Sequence, residues 1–73
     1  MRSLCSANIG EMVVVKNLHA QNELKERFLA LGITKGAILE VLRRGPYNNL
    51  TVYKIRGAMI ALRKEESDLI SIN

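Results

Sequence analysis

Residues 22–44 read NELKERFLALGITKGAILEVLRR, and within them the apolar pattern changes period once. Leu24, Phe28 and Leu31 recur at i, i+4 and i+7, one stripe of a helix. Asn22 precedes them as an N-cap, its side-chain oxygen able to accept an early backbone N–H. Glu23 and Glu26 fall in the first turn, where the positive end of the helix dipole favours carboxylates. Gly32 stands where a left-handed residue closes a helix, and Ile33 can pack back on it. The spacing predicts one short amphipathic helix over Glu23–Leu31, held by packing because about nine residues are marginal alone. After Gly36 the apolar positions alternate. Leu39 and Val41 share a face and Glu40 opposes them, which predicts a strand over Ala37–Arg44.

Strand patterns lie on both sides of this stretch. Upstream, Gly10 closes an irregular N-terminus, and Glu11–Leu18 carries the β-branched run Val13–Val15. Downstream, Gly45-Pro46-Tyr47-Asn48-Asn49 has the composition of a loop. Leu50–Ile55 and Ala58–Arg63 are strands around a tight Arg56-Gly57 turn, in which Gly57 supplies a positive φ. Ile60 and Leu62 point inward. Lys64–Ser67 is a polar turn, and Asp68–Ile72 a last strand with Ile70 and Ile72 inward. There is no βαβ alternation, so a parallel sheet is not expected. The expected fold is mainly β: a small, five-stranded, partly open barrel with one short α-helix between strands 1 and 2. Residues 1–73 make one domain.

The composition is consistent with this. A chain of 73 residues buries only about 60% of the surface exposed when unfolded. It has little packing to spare for a deep ligand cavity. Phe28, Tyr47 and Tyr53 are the only aromatic residues, so the core must be aliphatic. Cys5 is the single cysteine and can form no internal disulfide, which favours a reducing compartment. No apolar run is long enough to span a bilayer, and Leu4–Ile9, broken by Ser6 and Asn8, is too polar for a signal peptide. A cytoplasmic protein is expected.

The formal charge of +4 is unevenly spread. Between Val41 and Lys64 lie Arg43, Arg44, Lys54, Arg56, Arg63 and Lys64 and no acidic residue; the remainder of the chain is net −2. Such a span can steer an acidic partner, and it can equally keep strand edges soluble. Arg27 borders the apolar stripe of the helix. Its stem either covers the edge of the core, paired with Glu23, or forms the rim of a docking surface. Arg27, Arg43, Arg44, Lys54, Arg56, Arg63 and Lys64 are therefore the candidate partner-binding residues.

Catalytic machinery is not legible. His19 is the only imidazole, and no serine or cysteine carries a nucleophile motif. Glu65, Glu66 and Asp68 read as a solvated turn, and the five glycines are dispersed rather than gathered into a phosphate loop. A weak site for Fe2+ or another transition metal would have to join Cys5 and His19 with carboxylates brought in by folding. Nucleic-acid binding is the alternative to protein docking: small barrels bind it with a basic face and exposed aromatics, and Tyr47 and Tyr53 lie within the basic span. An exposed strand edge could also pair two copies.

Two segments resemble a known family. Arg27–Gly36 (RFLALGITKG), then Gly57 and Ile60–Glu66 (IALRKEE), with Ile70-Ser71-Ile72 at the end, resemble the FeoA family. Phe28, Lys35 and Ser67 depart from its usual Leu, Pro and Ala. The resemblance implies an SH3-like barrel and a non-enzymatic accessory role in ferrous iron uptake. It also implies a partner, a membrane permease whose cytosolic GTP-binding domain the small protein would touch, and so recruitment to the inner face of the membrane. The same fold occurs as a module of metal-dependent repressors, but this chain has no room for their DNA-binding domains.

Overall fold

Six strands and two helices follow one another in the computed structural model, which describes residues 2–73 and, of Asn48, the backbone only. They are β1 (Arg2–Ser3), β2 (Met12–Leu18), α1 (Asn22–Ala30), β3 (Ile38–Arg44), β4 (Leu50–Ile55), β5 (Ala58–Arg63), α2 (Lys64–Ser67) and β6 (Ile70–Ile72). All pairings are antiparallel, in the order β1-β6-β2-β3-β4-β5. The sheet curls without closing, as a partly open barrel.

The curl is made in β2. Met12, Val13 and Val14 pair with Glu40, Leu39 and Ile38 of β3, whereas Val15–Leu18 pair with β6 across an irregularity between Val15 and Asn17. One strand thus serves two half-sheets, which a bulge permits by bending the strand and increasing its twist. Asn73 fastens the bend: its backbone N–H donates to the Val14 carbonyl and its side-chain oxygen accepts the Val14 N–H, both at 3.1 Å.

Helix α1 ends as its sequence predicts. Gly32 adopts φ +90°, the Ile33 N–H donates to Phe28 O at 2.9 Å and the Gly32 N–H to Leu29 O at 3.0 Å, a Schellman closure. Its start differs from expectation. Asn22 takes φ +57° as the first residue of the helix, and Gln21 holds the cap position without a side-chain bond. Asn tolerates the left-handed region better than most residues, so Asn22 turns the chain here rather than capping it. Phe28 is buried and Leu24 half-buried, but Leu31 is exposed.

Leu4, Val13, Val15, Phe28, Ile33, Leu39, Val41, Tyr53, Leu62 and Ile70 fill the core. Ile60, expected inward beside Leu62, is half-buried and packs against it. Two elements are additional to those expected. Residues 2–6, read as irregular, form β1 and a 3-10 turn, and this sixth strand pairs Arg2 with Ile72 and Ser3 with Ser71. Lys64–Ser67, read as a turn, closes one helical turn in which Glu66 accepts the Arg63 backbone N–H at 2.9 Å.

Candidate docking surface

The register of β2, β3, β4 and β5 sorts side chains into an inner and an outer face. Tyr53, Ile55 and Thr51 of β4 point into the barrel; Leu50, Val52 and Lys54 point out. One outer row runs Met12–Glu40–Lys54–Met59, each residue the registered partner of the next, and Val14–Ile38 lies beside it. Met12 and Met59 are each 66% exposed and Ile38 54%. Large apolar side chains clustered on a sheet face, with charges among them, mark interaction surfaces. A shallow groove lined by Met12, Ile38, Glu40, Lys54 and Arg56 crosses this face.

The seven candidate cations do not form one patch. Arg43 and Lys54 lie on the outer face, and Arg63 at its end opposite Leu50. Arg56 occupies the β4–β5 turn at φ +51°, beside Gly57 at +81°. Both central residues are left-handed, the signature of a type I′ hairpin, which Asn and Gly fill far more comfortably than Arg. Lys64 opens α2 on the rim of a separate pocket. Arg27 bridges to Glu66 at 2.6 Å, not to Glu23, and so ties α1 to α2.

Arg44 is placed differently. Pairing shifts between Val41 and Arg43, so that Arg43 faces outward opposite Val52 and Arg44 turns inward opposite Thr51. Its guanidinium donates to the carbonyls of Ala7 and Cys5 and to the Thr51 hydroxyl. Arg44 therefore clamps the N-terminal segment onto the barrel.

The same geometry bears on the other readings. Tyr53 is fully buried, so of the two tyrosines in the basic span only Tyr47, 93% exposed at φ +60°, could stack on a base. The Cys5 thiol donates to Asp68 Oδ1 at 3.3 Å and lies 3.1 Å from Ser3 Oγ. His19 Nε2 lies 3.3 Å from Ser71 Oγ. Among the described residues no three His, Cys, Asp or Glu side chains converge, and a Cys–Asp pair does not supply the three or four ligands of a zinc-type site. No helix of the described residues is long and apolar enough to cross a membrane.

The sequence reading missed Met12, Ile38 and Met59. They sit in unbroken apolar runs, MVVV at 12–15, AIL at 37–39 and AMIAL at 58–62, where period-2 alternation is invisible. The available signal was the excess itself: a strand apolar on both faces has one face with nothing in its own chain to cover it.

The FeoA domain model matches residues 2–73. The chain belongs to the FeoA domain family. A Campylobacter jejuni protein carrying the name Fe(2+) transport protein A is 28% identical over 64 residues, 88% of this chain and 86% of that one. The solution structure of iron(II) transport protein A from Clostridium thermocellum superposes with TM-score 0.91 at 31% identity. It covers 96% of this FeoA chain, which spans only 43% of the clostridial one. The zinc complex of Stenotrophomonas maltophilia FeoA, described as a procaryotic SH3 domain protein, has TM-score 0.83 at 22% identity, covering 100% of this chain and 91% of that one. At that identity the likeness speaks to the fold, which is SH3-like.

Proposed function

We propose that this FeoA chain is a non-enzymatic accessory protein of ferrous iron uptake, acting in the cytoplasm by docking on the GTP-binding region of the ferrous iron permease at the inner face of the membrane. The iron-transport context rests on the family and on the names of the Campylobacter and Clostridium relatives. Docking rests on one observation, the outer sheet face, where exposed Met12, Ile38 and Met59 interleave with Lys54 and Arg56. The apolar side chains supply contact area, and Lys54, Arg43 and Arg63 steer an acidic partner. Methionine re-packs readily against a partner of irregular shape. Arg56 adds to the case, because a strained backbone conformation is retained where its occupant is of use. Bound there, the protein would favour one conformation of the permease domain and shift its state.

Titrating the labelled protein with the permease's GTP-binding domain at physiological salt tests this by amide shifts. Saturable shifts centred on Met12, Ile38, Lys54 and Met59 are expected. No shift with that domain, or strongly salt-dependent shifts produced instead by a short DNA duplex, would overturn the reading.

A further inference from the structure

The six-stranded sheet leaves two edges, and they are protected differently. Strand β1, at one edge, has only two residues, and so short a strand offers little to pair with. Strand β5, at the other, runs six residues, contains no proline and keeps its register with β4 without a shift.

The parity of the ladder decides which groups of β5 face away from β4. In a two-residue hairpin the residues flanking the turn, Ile55 and Ala58, exchange both backbone hydrogen bonds, and every second pair repeats this. Ala58, Ile60 and Leu62 therefore bond β4, and the Lys64 N–H continues the series to Asn49 O at 3.1 Å. Met59, Ala61 and Arg63 aim their N–H and C=O groups at the open edge. Arg63 bears out this parity and is itself capped: its N–H donates to Glu66 Oε1 at 2.9 Å, and its carbonyl accepts the Ser67 hydroxyl at 3.3 Å. Met59 and Ala61 are left with two N–H donors and two C=O acceptors that have no partner among the described residues. Both residues are exposed, as are Ala58 and Arg63 beside them.

Charge selects the occupant. Arg63 and Lys64 stand at one end of the open stretch and Arg56 at the other, with Lys54 beside Met59 on the outer face. No acidic residue lies between Val41 and Lys64. A second copy pairing β5 with β5 about Ile60 would set Arg56 of each chain opposite Lys64 of the other, like charges at both ends. A strand carrying carboxylates at its ends meets the same cations favourably.

We propose that the open edge of β5 takes up one extended acidic segment of another protein as a seventh, antiparallel strand. Its backbone exchanges hydrogen bonds with Met59 and Ala61, and its carboxylates meet Arg63 at one end and Arg56 and Lys54 at the other. This does not rest on the permease reading, and its test contains no permease domain.

The probe is the heptapeptide acetyl-ETVTVTE-amide, whose valines align with Met59 and Ala61 and whose glutamates fall opposite Arg63 and Gly57. In the protein alone, the Met59 and Ala61 amides should exchange with deuterium about tenfold faster or more than those of Ile60 and Leu62. Peptide should protect them and produce saturable amide shifts over Ala58–Leu62. The peptide N-methylated at both valines, and acetyl-KTVTVTK-amide, should each bind about tenfold more weakly or worse, since each loses hydrogen bonds or charge pairing. Ala61→Pro removes an outward donor and spares the bonds to β4, so the variant should melt within a few degrees of the parent and fail to bind the peptide. The N-methylated peptide puts the same question to the unaltered protein. Absence of saturable shifts, or equal binding of the N-methylated or the lysine peptide, would overturn the proposal. So would protection of Met59 and Ala61 that rises with protein concentration without peptide, which would assign the edge to a second copy.

Discussion

Individual residues here do work that their type alone does not announce. Arg44 is one of six cations in an acid-free span, yet it is the one that turns inward to satisfy the carbonyls of Cys5 and Ala7. Arg44→Ala leaves those acceptors unpaired and should cost about 2–3 kcal/mol in urea unfolding, whereas Arg43→Ala on the outer face should cost under about 0.5 kcal/mol. Arg56 is the converse case. Arg56→Asn places a residue suited to the left-handed region in the hairpin turn, and a gain of about 0.5–1 kcal/mol is expected, together with weaker binding to the permease domain. Acid stability is also set by single residues. The Arg2 guanidinium at 2.6 Å and the Asn8 backbone N–H hold Glu11 down at about 2, and Arg27 lowers Glu66. A depressed carboxyl stabilises the fold above its unfolded value and loses that contribution as pH falls through its folded value. Stability should therefore decline between about pH 4.5 and pH 2, and a Glu11→Gln, Glu66→Gln double variant should show a shallower decline in melting temperature over that window.

At the level of elements, docking and folding separate by face. Ile38→Asp changes an exposed side chain on the outer face, beside that row, and leaves its inward neighbour Leu39 in place. It should abolish the shifts caused by the permease domain while the melting temperature stays within a few degrees, since surface changes usually stay within about 0.5 kcal/mol. The elements were legible from sequence wherever period and punctuation agreed. Helix α1 and its Gly32 closure, the β4–β5 hairpin and the inward Leu39–Val41 pair were set by spacing alone. What was not legible depends on contacts distant in sequence. The bulge after Val41 that reverses Arg43 and Arg44 comes from pairing with β4, and the Arg27–Glu66 bridge spans 39 positions. Strand β1 was hidden because two residues carry no period; only pairing with β6 makes them a strand. The family resemblance rests on the residues that build the barrel, so it identified the fold and left the outer face unmarked.

Across the whole molecule, the two ends of the chain are what hold the open barrel in shape. The N-terminal segment puts Leu4 and Ala7 into the core at 0% exposure, pairs β1 with β6 and supplies the carbonyls that Arg44 binds. The C-terminal Asn73 fastens the bend in β2. A domain of this size has a stability of only about 4–11 kcal/mol. Losing a buried leucine alone removes about 2–5 kcal/mol. Deleting residues 2–7 would also strip β6 of its outer partner and leave Arg44 charged, inward-facing and without its backbone acceptors, at about 1–3 kcal/mol more. These losses together, about 3–8 kcal/mol before the lost β1–β6 pairing is counted, take most of that stability, so the truncated chain should lose its dispersed amide spectrum and its cooperative melt. Leu4→Ala in the full chain should retain both, with a melting temperature lower by about 10 °C or more. A truncated chain that still melts cooperatively would show instead that β2–β6 form a self-sufficient barrel.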